Sequence, residues 1–250
     1  MKLIGDVEFM YNEMVMGFMK MRLEWYNSTT GNLKGYNCPL CKNRGDFYVI
    51  RDGYLFSQDC ECMKIRNAIR EANNSGFDGS MKVNTFDTYK AENIWQQDVL
   101  KKAKAFVVNG KWFAILGESG SGKTHICTAI TRDLFMQGKS VKYMQWVEDS
   151  GRLKARVNEP QEYDALLDVF KNAEVLFIDD LFKIEPTIAD VRLAYELINY
   201  RYVKKLTTII SSEKQLDELM EIDSAIAGRI NEMAGNYLIK IKGKDKNLRF

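Results

Sequence analysis

Gly117-Glu118-Ser119-Gly120-Ser121-Gly122-Lys123-Thr124 is the stretch from which the rest of the chain is read. It matches G-x-x-x-x-G-K-[ST], a loop whose glycines let successive backbone N–H groups turn inward around phosphates. Its surroundings suit that use. Lys111 to Leu116 is an apolar run of strand length, and a helical pattern follows over 123–137, so the loop closes a strand and opens a helix N-terminus. In this arrangement Lys123 reaches the β- and γ-phosphates and the Thr124 hydroxyl ligates Mg²⁺. His125 falls in the first helical turn, where it reads as a packing or supporting residue.

Working outward, a P-loop needs a carboxylate for its magnesium ion, and Val175-Leu176-Phe177-Ile178-Asp179-Asp180 is an apolar strand ending in two acids. Asp179 is expected to hold Mg²⁺ through water and Asp180 to polarise the attacking water. Further strands are expected at 140–144, 174–178 and 206–210, separated by helices near 123–137, 146–157, 162–171 and 188–204. Alternation of buried strands with helices is the pattern of an α/β fold with a parallel sheet. The strand at 206–210 runs into Ser211-Ser212-Glu213, where a polar side chain, assigned to Ser212, would sense the γ-phosphate.

Upstream lies a different chemistry. Four of five cysteines cluster as Cys38, Cys41, Cys60 and Cys62, a C-x2-C pair and a C-x-C pair separated by 18 residues. Four soft thiolates on two turns can close a tetrahedral Zn²⁺ site with no open position for water, which would make the metal structural; the other reading is unligated or redox-active cysteines. Ahead of them, Val7 to Tyr26 reads as a helix with Met10, Met14, Phe18, Met21 and Trp25 on one face. That stripe either adapts to a partner surface or packs on the zinc module as its core. A helix after Cys62 runs to about Ala72 and is stopped by Asn73-Asn74-Ser75-Gly76. The division expected is a module over 1–82 and a nucleotide-binding domain over 83–250.

Composition excludes several classes. With 46% hydrophobic and 28% charged residues, 250 residues can bury a core, and 3 prolines and 17 glycines without a repeat rule out collagen-like and solenoid chains. The run Met14 to Met19 is too short to span a bilayer and is flanked by charges, so neither a membrane span nor a signal peptide is expected and a cytoplasmic location is. A single histidine excludes a multi-histidine metal site. Formal charge is +2, and four thiolates with one Zn²⁺ bring it to zero, so attraction for polyanions has to be local. Two local candidates exist. Lys142, Arg152, Lys154 and Arg156 with Tyr143 and Trp146 interleaved either hold phosphates and stack bases or form a solvated helix face. Lys240, Lys242, Lys244, Lys246 and Arg249 alternate as on one face of an edge strand.

GESGSGKTH, LFIDDL, INYRYVKKLTTIISSE, AIAGRINEM and the ending KGKDKNLR resemble the DnaC/DnaI-type helicase loaders, ATPases of the AAA+ class, over most of 83–250. The cysteine module and Thr85-Phe86-Asp87-Thr88-Tyr89 resemble the amino-terminal zinc domain and domain junction of some members. The resemblance implies ATP as the nucleotide, a homo-oligomeric loading complex, a hexameric replicative DNA helicase and single-stranded DNA as partners, and no full helical lid. It further implies that Arg229, in Ala227-Gly228-Arg229-Ile230, reaches the γ-phosphate on a neighbouring subunit, and that Arg249 contacts phosphate within its own subunit. Two positions depart from the family: Gly228 where Ser is common, and Glu213 where Asn is. The alternatives are an IstB-like transposition helper, whose relatives usually lack the zinc module, and a zinc-ribbon nucleoside kinase, which carries its cysteines after the P-loop.

Overall fold

The computed structural model describes residues 3–34, 36–63, 65–66 and 78–248, with side chains left undescribed for 3–12, 78 and 244. The expected helix stop at Asn73 to Gly76 and the terminal Arg249 lie outside the described residues. The chain divides into two compact units, Met1–Asn67 and Ala68–Phe250.

The first unit joins helix α1 (Leu3–Ser28) to an antiparallel hairpin, β1 (Asp46–Arg51) and β2 (Tyr54–Asp59). The hairpin fills the gap between the cysteine pairs. Its signals are the apolar run Phe47 to Ile50 and the dipeptide Asp52-Gly53, whose φ values of 51° and 79° give a tight turn with the twist that hairpin strands require. The C-terminal end of α1 docks on β1: Tyr26 stacks on Tyr48 with ring centroids 3.9 Å apart, and Asn27 exchanges two hydrogen bonds with the Tyr48 backbone. Arg44 lies over the Tyr26 ring and donates to the Tyr26, Thr29 and Asp46 carbonyls, tying the helix end to the loop.

The second unit contains α2 (Asp78–Val83), α3 (Ile94–Asn109), β3 (Trp112–Gly117), α4 (Lys123–Met136), β4 (Val141–Gln145), α5 (Trp146–Ala155), α6 (Pro160–Lys171), β5 (Val175–Asp179), α7 (Ile188–Lys204), β6 (Thr207–Ser212), α8 (Leu216–Ile222), α9 (Ser224–Ala234) and β7 (Leu238–Ile241). The five strands form one parallel sheet in the order β4-β5-β6-β3-β7. Every residue of β3 and of β5 is buried, as befits strands covered on both faces. Each fully buried Phe, Ile or Leu of β3 contributes about 1.5–3 kcal/mol by leaving water.

Helix boundaries follow local chemistry. Pro160 occupies the first turn of α6, and α7 opens with a reciprocal cap between Thr187 and Asp190. Asp223 caps α9 by accepting from the Ile226 N–H at 2.8 Å. The expected strands each lie within a residue of those observed at their start, but β6 runs on to Ser212 and so carries both serines into the sheet. The alternation from Lys240 onward does not continue as a strand. β7 ends at Ile241, Gly243 takes φ +112°, and Lys244–Lys246 forms a 3₁₀ turn, because a left-handed residue breaks the extended path. Among the described residues no helix is long and apolar enough to cross a membrane.

Candidate functional site

The buried strand β3 delivers the P-loop to the carboxyl end of the sheet, where β5 and β6 also end. Gly117 has φ +113°, and a Cβ there would lie 2.0 Å from the Ile241 carbonyl oxygen, so only glycine permits β7 and the loop to meet. Gly122 sits at φ +85° directly before the helix that Lys123 begins. Within the loop the Ser121 hydroxyl donates to the Glu118 carbonyl at 2.7 Å, and Lys123 Nζ donates to the Gly117 and Glu118 carbonyls at 2.8 and 2.7 Å. The ammonium thus folds back over its own loop, and its burial lowers its pKa from the usual lysine range.

Asp179 ends β5 inside a ring of donors. The Thr124 hydroxyl reaches its Oδ1 at 3.1 Å, the Ser211 hydroxyl donates to the same oxygen, and the Tyr143 hydroxyl donates to Oδ2 at 3.0 Å. Burial raises the Asp179 pKa while these hydrogen bonds pull it the other way, and burial with the neighbouring carboxylate pushes the Tyr143 hydroxyl up, so Tyr143 remains a donor. Thr124 and Asp179 form a hydroxyl–carboxylate pair in contact, a donor set that could hold a magnesium ion beside a P-loop. Asp180 follows at φ +58°, its N–H given to Ser211 Oγ at 2.9 Å and its Oδ2 accepting from Lys183 Nζ at 2.6 Å.

A cavity of about 220 Å³ opens in front of these groups, lined by the P-loop and His125 on one side and by Asp180, Lys183 and Glu213 on the other. His125 Nε2 donates to the Thr85 carbonyl at 2.9 Å and its ring meets Tyr89 edge-on, so this histidine fastens the Thr85–Tyr89 segment to the P-loop helix. Ser212 is turned away, donating to the Leu181 carbonyl at 2.6 Å, and the residue after β6 that faces the cavity is Glu213, which accepts from Ser119 Oγ at 2.7 Å. Lys183 escapes the sequence reading, and Ser211 enters it only within the Ser211-Ser212-Glu213 stretch, whose sensing role is assigned to its neighbour. Their only signals are a lysine three residues beyond Asp180 and a serine one register step before Ser212.

The cysteines come together in the first unit. Cys38, Cys41, Cys60 and Cys62 are all buried, and their four sulfurs lie within 4.8 Å of one another. Separations of 3.7 Å for Cys38–Cys60 and 3.4 Å for Cys41–Cys62 are near the edge of about 3.8 Å that a tetrahedron with Zn–S bonds of about 2.3 Å would have. None is in a disulfide. Burial raises the Cys60 and Cys62 thiols, whereas the Gly45 N–H and the neighbouring thiols bring Cys41 down, so the cluster holds its first negative charge at Cys41. Arg66 donates to the Lys34 and Tyr36 carbonyls and to Asn43, bracing the turn that presents Cys38 and Cys41. The donor set and spacing fit Zn²⁺.

Residues 48–230 match the family model described as IstB-like ATP binding protein. The chain belongs to this family. Two proteins of Bacillus subtilis (strain 168) resemble this IstB-like protein along most of its length: the uncharacterized protein YqaM at 34% identity and the phage-like element PBSX protein XkdC at 33%, each match covering 83% of this chain and 83% of the relative. The crystal structure of the DnaC helicase loader superposes with a TM-score of 0.57 at 27% identity, covering 64% of this chain and 97% of that one. The AAA+ P-loop fold and homology to the DnaC/DnaI-type proteins follow.

Other expectations for the IstB-like protein meet the structure differently. Trp146 is 3% exposed, its ring edge-on to Phe182 at 5.5 Å, so it is core and cannot stack a base. Tyr143 serves Asp179. The basic side chains of α5 are matched by acids: Arg152 by Glu148 and Asp149, Lys154 by Asp190, Arg156 by Glu162. On α1, Met14, Phe18, Met21 and Trp25 are 67, 61, 62 and 66% exposed, which removes the reading of that stripe as the module's core. Arg229 lies on α9 with its guanidinium 4.9 Å from the Tyr195 ring and 5.6 Å from the Tyr202 ring, and it does not line the P-loop cavity.

Proposed function

We propose that this protein is an ATP-driven loader of a hexameric replicative DNA helicase, in which residues 1–82 recognise the helicase and residues 83–250 bind ATP, hydrolyse it and, once assembled, hold single-stranded DNA. The observation that carries this reading is the coexistence in one chain of a P-loop site and a separate four-cysteine unit whose helix presents an exposed methionine-rich face. Homology to the DnaC helicase loader supports it.

In this reading Gly117 to Thr124 cradle the phosphates, Lys123 leaves its loop carbonyls for the β- and γ-phosphates, and Thr124 and Asp179 hold Mg²⁺, which offsets phosphate charge when bound. Asp180 polarises the attacking water, and Arg229 of the next protomer neutralises charge on the transferred group. Phosphate contact by Arg249 within its own subunit and a γ-phosphate-sensing role near β6 remain part of the proposal, and Ser212 would take that role only by leaving the Leu181 carbonyl. Zn²⁺ on the four cysteines would be structural, crosslinking the two ends of the hairpin.

Native mass spectrometry of the full chain with a hexameric replicative helicase tests the reading. A complex should form with the wild type, and single-stranded DNA should join it only with ATP and leave steeply as salt rises. Lys123→Ala should retain the helicase and lose ATP-dependent DNA uptake. If no helicase is bound under any condition, the transposition-helper reading takes precedence. The family model favours that second reading by its description, but its match begins at residue 48, after Cys38 and Cys41, so half of the cysteine cluster lies outside what the family model covers.

The metal is tested separately. Protein purified without added metal should carry one zinc per chain by mass spectrometry, and Cys38→Ser or Cys62→Ser should release it and expose the hairpin to proteolysis. A well-ordered, metal-free wild type would overturn the assignment.

A further inference from the structure

The nucleotide cavity contains a charge that the roles above leave unused. Lys183 Nζ sits 2.6 Å from Asp180 Oδ2 and 3.9 Å from Glu213 Oε1, bridging the two carboxylates that line the cavity opposite the P-loop. Glu213 is itself held beside the P-loop by the Ser119 hydroxyl. We propose that Lys183 is a γ-phosphate-contacting residue, a second cation of the site that leaves Asp180 and Glu213 for the terminal phosphate when a nucleoside triphosphate binds. This rests on the nucleotide reading above and assigns to it a residue that the P-loop motif does not contain.

The charge distribution argues for it. The cavity wall offers two ammoniums, Lys123 and Lys183, against two carboxylates, Asp180 and Glu213, with Asp179 behind Thr124. Without Lys183, the wall facing the terminal phosphate would present two uncompensated carboxylates to a polyanion, a like-charge contact at short range. Lys183 is placed to relieve that repulsion, because its side chain is 45% exposed and free to swing. An ion pair exposed to that degree is weak, whereas a terminal phosphate supplies three strong acceptor oxygens to charge-assisted hydrogen bonds, so the exchange of partners is favourable. The hydrogen bond to Asp180, with the nearby carboxylates, keeps the Lys183 pKa above the ordinary lysine range, so the group arrives charged.

The exchange has a second consequence. When Lys183 moves to the phosphate, Asp180 loses its ion-pair partner and its Oδ2 becomes free to accept a hydrogen bond from water. One side chain therefore couples arrival of the γ-phosphate to availability of the carboxylate beside it.

Titration calorimetry on the full chain, with Mg·ADP and with a Mg-bound non-hydrolysable ATP analogue, separates this from a structural role. Lys183→Met should weaken the analogue by about tenfold or more and leave ADP within about twofold, because ADP lacks the group that Lys183 contacts. Lys183→Arg should keep most of the analogue affinity, and adding Glu213→Gln to Lys183→Met should recover part of the loss by removing the unpaired carboxylate. Retained ADP binding shows that each variant is folded. Unchanged analogue affinity in Lys183→Met, or equal loss for both nucleotides, overturns the assignment while the P-loop reading stands. A wild type that binds neither nucleotide overturns both.

Discussion

Arg229→Ala is expected to lower ATP turnover by roughly 10³, and mixing the variant with Lys123→Ala subunits is expected to restore part of it. The geometry explains why the arginine should act on a neighbour. Arg229 rides on α9, its guanidinium held over Tyr195 and Tyr202, and it is absent from the wall of the cavity that its own Lys123 occupies. Its Nη1 is buried without a hydrogen-bond partner, so the folded protomer leaves a charged donor unsatisfied. Its Nη2 has only a long bond of 3.4 Å to the neutral Tyr195 hydroxyl, so a guanidinium that turns outward to a phosphoryl oxygen of another subunit exchanges a weak partner for a charged one. Lys123→Ala subunits have dead sites but intact arginines, so they can donate the missing guanidinium. Steady-state turnover across mixing ratios decides it: a loss below tenfold, or no recovery at any ratio, would sink the assignment.

Arg201→Met should cost about 3 kcal/mol or more of folding stability and lower the melting temperature of the second unit by roughly ten degrees. Arg201 is fully buried, and among the described residues it has no carboxylate partner. Its guanidinium instead donates to the carbonyls of Phe170, Lys171, Ala173 and Thr207 and to the Thr208 hydroxyl. Those carbonyls belong to the C-terminal end of α6, the approach to β5 and the start of β6, so one side chain on α7 ties three elements together. Burial brings its pKa down to about 9, which still leaves it cationic at neutral pH. Methionine would fill much of the volume yet strand the acceptors in a dry interior, and buried unsatisfied acceptors are what make such a replacement costly. Arg201→Lys should fall between, since one ammonium cannot span the carbonyls that a planar fork reaches. Differential scanning calorimetry measures both. A shift below about three degrees for Arg201→Met would show that the clamp is dispensable.

The sequence by itself determined whatever depends on local pattern. The glycines, Lys123 and Thr124 carry their chemistry within eight residues, the apolar run before Asp179 announces a buried strand and an acid at its end, and the cysteine spacing brings four thiols together on two turns. Strand and helix alternation then leaves a parallel sheet as the architecture. What only the tertiary structure decided is where side chains point once the elements pack. Trp146 looks like a stacking platform in sequence and is core, because α5 turns it onto Phe182. Ser211 and Ser212 are adjacent in β6, and alternation across the strand sends one hydroxyl to Asp179 and the other to the Leu181 carbonyl. Arg201 sits unmarked in Asn199-Tyr200-Arg201-Tyr202, and its value as a clamp exists only when α6, β5 and β6 converge around it. Lys183 acquires a role in the same way, from Asp180 three residues before it and from Glu213, thirty residues away in the chain and brought to it by the pairing of β5 with β6. Local spacing encodes chemistry that neighbours in sequence perform, while burial and charge pairing between distant segments are properties of the packed sheet.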